Sequence, residues 1–167
     1  YAWYIKGLTN YNRGKTLVDR FVPQDPSERD TATMRAAYDD FDQLVKFYPN
    51  SIYAPDAAQR LIYLRNNMAE YEIHVADYYM RRKAFVAVAN RGEYVVENFQ
   101  RTPAVPDALI YMVRAYTILG LDDLADDAMR VLSLNYPDRP EIAWLQDPDG
   151  YEKAQKRANR SSFWKFW

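Results

Sequence analysis

Hydrophobic positions along this chain return with the period of a helix, and proline or glycine stops most of the runs. An opening helix is expected over residues 1–11. After Asp30-Thr31, which can cap a helix, Met34, Ala37, Tyr38, Phe41, Leu44 and Val45 form one apolar face. Tyr48-Pro49-Asn50-Ser51 ends that helix, because proline disfavours helix in the residue before it. Pro55 then suits a first turn, and Asp56 beside it complements the helix dipole. Neither glycine nor proline recurs until Gly92. Over that stretch Ala57, Leu61, Leu64, Met68, Tyr71, Val75 and Tyr78 alternate steps of four and three. The stripe predicts a single helix of roughly 27 residues, about 40 Å long, closed by Arg81-Arg82-Lys83. Three more helices are expected, from about Phe85 to Phe99 (burying Val88, Val95 and Phe99), over 106–119 and over 122–135.

The elements repeat. Ala37, Phe41 and Pro49 reappear at the same spacing as Ala125, Met129 and Pro137. This is the A-x3-F…P half of the 34-residue tetratricopeptide pattern. Gly120 stands where such repeats turn between their two helices. Met112-Val113-x2-Tyr116 fits the first-helix half, and Val75-Ala76-x2-Tyr79 takes the same positions 37 residues earlier. Val105-Pro106-Asp107-Ala108 echoes Ala54-Pro55-Asp56-Ala57, 51 residues on. Trp3 and Gly7 match the W-x3-G segment, with Lys6 in place of the usual leucine. Gly7 would let a neighbouring helix approach closely. Gly92 stands where Phe41 and Met129 stand, leaving room for a close helix or a partner's side chain. Gly7 to Ala37 spans 30 residues, where the pattern needs about 12. An insertion is therefore expected at about 12–30, broken by Pro23, Asp25-Pro26 and Ser27, with Phe21 and Val22 available to dock it. The fold expected is an all-α, tetratricopeptide-repeat α-solenoid of stacked helix hairpins. Three tetratricopeptide-like repeats would occupy 1–137, followed by a C-terminal extension with a basic aromatic tail over 138–167. Such stacks present a curved surface for binding proteins.

Composition narrows the function further. The 167 residues carry 22 basic against 23 acidic side chains, so nucleic acid is not an expected partner. Absence of cysteine excludes disulfides and thiolate metal sites. No apolar run approaches the ~20 residues of a membrane span. The chain opens Tyr1-Ala2-Trp3 and reads as a fragment whose N-terminal part, with any targeting segment, precedes it. His74 is the only histidine, and its neighbours Ile73 and Val75 assign it a structural place on a helix flank. With no Gly-rich phosphate loop either, neither catalysis nor a cofactor is expected. Asp122-Asp123-x2-Asp126-Asp127 opens a helix, where acids favour the dipole, and a regular helix splays such oxygens too far apart for a metal. Asp39-Asp40-x-Asp42 reads as a solvated face. The terminal aromatics Phe163, Trp164, Phe166 and Trp167 admit three readings: a cap folded onto the last repeat, a contact with a partner or membrane surface, or disorder. Four large aromatics in five residues argue against the last.

Several stretches together resemble one family. They are Gly7-Leu8-Thr9-Asn10, Arg35-Ala36-Ala37-Tyr38-Asp39-Asp40-Phe41, Tyr48-Pro49-Asn50-Ser51, Tyr71-Glu72-Ile73-His74-Val75-Ala76-Asp77-Tyr78-Tyr79 and Ala84-Phe85-Val86-Ala87-Val88-Ala89-Asn90-Arg91. Over about residues 3–137 the chain resembles BamD, the tetratricopeptide lipoprotein of the outer-membrane β-barrel assembly machinery. The likeness is to the third to fifth of the family's five repeats. It implies a non-enzymatic scaffold at the periplasmic face of the bacterial outer membrane, lipid-anchored through a segment that lies before this chain. The partners it implies are the POTRA domains of BamA and the companion lipoproteins. Unfolded outer-membrane proteins would be received mainly by the N-terminal repeats. It also implies that Arg91 meets the last POTRA domain, with Asn90, Gly92 and Tyr94 beside it. The guanidinium of Arg91 could make a bidentate pair with a carboxylate. Two alternatives from other classes are a generic tetratricopeptide adaptor that holds an extended peptide in its concave groove, and a helical hydrolase, for which no motif speaks.

Overall fold

The computed structural model describes residues 1–13 and 31–147; most of the expected insertion and the aromatic tail lie outside them. Among the described residues there are seven helices and no strand: α1 (Ala2–Asn12), α2 (Thr31–Phe47), α3 (Ala54–Arg81), α4 (Phe85–Asn98), α5 (Val105–Leu119), α6 (Asp122–Asn135) and α7 (Glu141–Gln146). Each helix packs mainly on the one before and the one after it, from α1 on α2 through α5 on α6, with α7 against α5 and α6. That nearest-neighbour order is the signature of a solenoid. Phe41, Leu44, Val88, Val95, Leu109 and Leu132 are the largest fully buried side chains.

The internal repeat is written in the backbone. Between α3 and α4 the chain turns through Lys83 at φ 60°, and between α5 and α6 through Gly120 at φ 71°. The two positions are 37 residues apart, and their hydrogen bonds correspond. The Ala84 N–H donates to the Tyr79 carbonyl at 3.0 Å, and the Leu121 N–H donates to the Tyr116 carbonyl at 2.9 Å. Each turn thus satisfies a carbonyl that the ending helix leaves open.

The echoed Pro-Asp dipeptides also play one role twice. Pro55 and Pro106 sit in the first turn of α3 and α5, where their missing N–H costs nothing. Asp56 accepts from Arg60 Nε at 2.6 Å and from the Tyr4 hydroxyl at 2.8 Å, tying α3 to α1. Asp107 accepts from Arg139, tying α5 to the turn before α7.

One expectation needs correction. Asp40 does not belong to a solvated face: it is 3% exposed, with Asp39 exposed and Asp42 half-buried. Lys6 Nζ lies 2.8 Å from its Oδ1, and Asn10 Nδ2 donates to its Oδ2 at 2.8 Å. A carboxylate can be buried at the α1–α2 seam because both oxygens meet donors there. Lys6 stands at the usual leucine position to supply that charge. Gly7 beside it is buried, and a Cβ there would lie 2.7 Å from Phe41 Cε1, so the close approach of α1 to α2 depends on its missing side chain.

The stripe on α3 forms one helix, as expected, but it does not stay on the buried face. Ala57, Leu64 and Met68 are buried, but Tyr71 and Val75 are half-buried and Tyr78 is 46% exposed. The buried face of the second half is instead Ala69, Glu72, Ile73 and Ala76. Steps of four and three average 3.5 residues, and such a stripe drifts by about 20° per heptad around a helix of 3.6. Across the span from Ala57 to Tyr78 it rotates away from the core. It emerges beside α4.

Candidate functional site

The outward end of the α3 stripe and the first half of α4 enclose a groove of ≈ 470 Å³. Tyr71, His74, Val75, Tyr78 and Tyr79 line one wall, and Arg91 closes the other. Positions 71, 74/75 and 78/79 share one helix face, since residues three and four apart stand above one another. The Tyr78 and Tyr79 rings meet edge to face with centroids 5.6 Å apart, and the Arg82 guanidinium lies 4.7 Å from the Tyr78 ring. The wall is thus aromatic, with polar tips at the rim.

Arg91 is held from below. Its Nη1 donates to Glu72 Oε2 at 2.8 Å. The Glu72 side chain is 11% exposed and that of Arg91 is 41% exposed. The carboxylate lies inside the α3–α4 seam while the guanidinium spans from it to solvent. This hydrogen bond raises the Arg91 pKa above its ordinary value, outweighing the opposing effect of burial. The family resemblance singled out Arg91 but not Glu72. An acid between Tyr71 and Ile73, on the face shared with Met68, Ala69 and Ala76, was the available signal, because a carboxylate there requires a donor.

The four residues expected at the contact are placed differently. Asn90 is exposed and Arg91 half-exposed. Tyr94 is partly buried, its ring edge-on to Phe99 at 5.7 Å. Gly92 is buried and faces inward. A Cβ there would lie 2.5 Å from Met112 Cγ and 3.0 Å from the Ala108 carbonyl oxygen. Of the two occupants expected for that space, the structure places the close helix, α5, there and leaves no room for a partner's side chain. His74 is half-buried in the groove wall. Phe163, Trp164, Phe166 and Trp167 lie outside the described residues.

Below the groove, α5 is latched to its neighbours by tyrosines. The Tyr111 hydroxyl donates to Asp77 Oδ1 at 3.0 Å, and burial followed by this bond pushes its pKa up to about 12. The Tyr116 hydroxyl donates to Glu93, and burial with this carboxylate likewise raises its pKa. Asp77 also pairs with Arg81 at 2.8 Å. The elements that carry the groove are therefore fixed to the stack by polar ties as well as by packing. Among the described residues, no helix is long and apolar enough to cross a membrane.

The profile of the YfiO family, described as an outer membrane lipoprotein, matches residues 1–132. The chain is 41% identical over 165 residues to an outer membrane protein assembly factor BamD from Xylella fastidiosa strain Temecula1, covering 97% of this chain and 56% of that protein. It is 35% identical over 167 residues to the BamD of Neisseria meningitidis serogroup A, covering 100% of this chain and 59% of the relative. Against the BamD of Haemophilus influenzae it is 38% identical over 135 residues, covering 81% and 52%. The chain thus spans a little over half the length of these relatives, which carry the name of an assembly factor rather than an enzyme. With its paired helices stacked in a solenoid and its sequence matched through α5 and most of α6, this chain belongs to the BamD family of outer membrane lipoproteins.

Proposed function

We propose that this chain is a non-enzymatic scaffold of the outer-membrane β-barrel assembly machinery, working at the periplasmic face of the outer membrane. It binds the last POTRA domain of BamA through the α3–α4 groove and supports companion lipoproteins on the rest of the stack. Unfolded outer-membrane proteins are met mainly by repeats N-terminal to it. The observation that carries this reading is the poise of Arg91. Glu72 holds one nitrogen of the guanidinium at 2.8 Å, while the side chain stays 41% exposed at the mouth of a tyrosine-lined groove. A second carboxylate can reach that guanidinium, and a planar fork fixed by one acid is oriented for another. Asn90 and the partly buried Tyr94 sit one turn apart on the same side of α4 and flank the contact.

The fork is the part of this arrangement that lysine lacks. Arg91→Lys keeps a cation opposite Glu72 and removes the second donor arm. Calorimetric titration with the last POTRA domain of the cognate BamA is expected to show markedly weaker binding for Arg91→Lys. Equal affinities would mean that the guanidinium geometry is not recognised.

A further inference from the structure

The outward face of α6 departs from the pattern of the earlier hairpins. Ala125, Ala128 and Leu132 turn into the stack. Away from them, Leu124, Asp127, Val131 and Leu134 follow at steps of three, four and three, which places them on one face of the helix. Leu121, the residue that precedes α6, extends the row by one turn. Leu121, Leu124, Val131 and Leu134 are 44%, 46%, 41% and 76% exposed. Among the described residues α6 packs mainly on α5, with α7 beside it, and the row stays open to solvent.

The internal repeat supplies a control. Ala125 corresponds to Ala37, 88 residues earlier, and at that offset the apolar row becomes Thr33, Ala36, Gln43 and Lys46 on α2. At the 37-residue offset it becomes Ala84, Ala87, Tyr94 and Glu97 at α4. Small or polar residues therefore serve at most of these positions, and Tyr94 packs its ring on Phe99. The architecture does not call for large aliphatic side chains there. Single exposed leucines need no explanation, but a continuous row along one helix face marks an interaction surface.

We propose that the outward face of α6 docks a basic amphipathic helix of another protein. The row from Leu121 to Leu134 is straight and ~20 Å long, the length of about 14 helical residues. Its steps of three and four are those with which one helix receives the apolar stripe of another. Charge selects the kind of helix. Asp122, Asp123, Asp126 and Asp127 are exposed along the first half of α6. Arg130 is the one base of α6, and its Nη2 already lies 2.5 Å from Asp127 Oδ1. Lysines or arginines flanking the incoming stripe would complement this excess of acid. A second copy of the chain would add the same excess, which opposes self-association through this face. The inference is independent of what the α3–α4 groove binds.

The probes are two fluorescein-labelled, side-chain-stapled helical peptides of about 14 residues. Both carry leucines at alternating steps of three and four; one has lysines on the flanks and the other glutamates. Titrated with the full chain and read by anisotropy, the lysine peptide should bind saturably and roughly tenfold tighter than the glutamate peptide, with the difference shrinking in high salt. Leu124→Gln with Leu134→Gln should abolish binding at unchanged melting temperature, since both side chains are exposed. Asp123→Lys with Asp126→Lys should reverse the preference between the peptides. Equal binding of the two peptides, or binding that survives the glutamine pair, would overturn the proposal. A melting temperature lowered by the glutamine pair would overturn it too, because the chain would then already cover this face itself. So would self-association of the natural chain that the same pair abolishes, which would make a second copy the occupant.

Discussion

The Glu72–Arg91 pair couples stability to recognition at a single point. Removing the arginine leaves a carboxylate that is 11% exposed without its cation. Breaking a buried pair costs several kcal/mol, and half-exposure of one partner reduces that, so Arg91→Ala should lose about 2 kcal/mol in urea unfolding. Charge reversal at Arg91 would set two carboxylates against each other and act on the α3–α4 seam as much as on a partner. The neutral pair Glu72→Gln with Arg91→Gln removes both charges together, and it should unfold within about 1 kcal/mol of the natural chain. A second residue-scale consequence concerns pH. Tyr111 titrates near pH 10 in the unfolded chain and at about 12 in the fold. Above pH 10 the unfolded state holds fewer protons than the native one, so stability falls between about pH 10 and 12. Tyr116 adds to the same loss. Tyr111→Phe should therefore show a shallower decline of melting temperature over this window, although it gives up the bond to Asp77 at neutral pH.

At the scale of helices, close approach through glycine sets how the hairpins stack. Gly92→Ala would press a methyl against Met112, which can move, and against the Ala108 carbonyl, which cannot move without shifting α5. A loss of about 1–3 kcal/mol is expected from calorimetric melting, and an unchanged melting temperature would show that α4 and α5 separate freely. The helices themselves were legible in the chain. The expected span of the long helix and of the final hairpin agrees with Ala54–Arg81, Val105–Leu119 and Asp122–Asn135 within a residue or two. Pro55, Pro106 and Gly120 are terminal signals with a direct steric cause, and they need no tertiary context. What the pattern did not reveal was facing. Asp40 looks like its solvated neighbours until Lys6 and Asn10 arrive from a helix about 30 positions away. Tyr71, Val75 and Tyr78 mark the helix in the sequence, but which side they face is set only when the 3.5-residue stripe is wound onto a helix of 3.6. For the same reason Arg91 could be singled out by resemblance, while its buried partner Glu72 emerged only when α3 and α4 were brought together.

Across the whole molecule, stability is a chain of neighbour contacts, and each end of the stack differs in what it exposes. At the start, Tyr1 and, on α1, Trp3 and Ile5 are 73%, 37% and 40% exposed; at the far end Leu119, Leu121 and Leu124 around the α5–α6 turn are exposed. The groove lies between these ends, on the helix that links the second hairpin to the first. Because α3 contacts α2, α4 and α5, a load on the groove is shared across the stack. The proposed scaffold role would require this property. We propose that the POTRA domain of BamA docks in the groove around Arg91. Calorimetric titration of that domain into the natural chain and into the Glu72→Gln/Arg91→Gln variant, with both shown to be equally folded, tests it most directly. Saturable binding is expected for the natural chain, and its loss in the neutral pair at unchanged melting temperature. Equal affinity for the two proteins, or no binding to the folded natural chain, would contradict it.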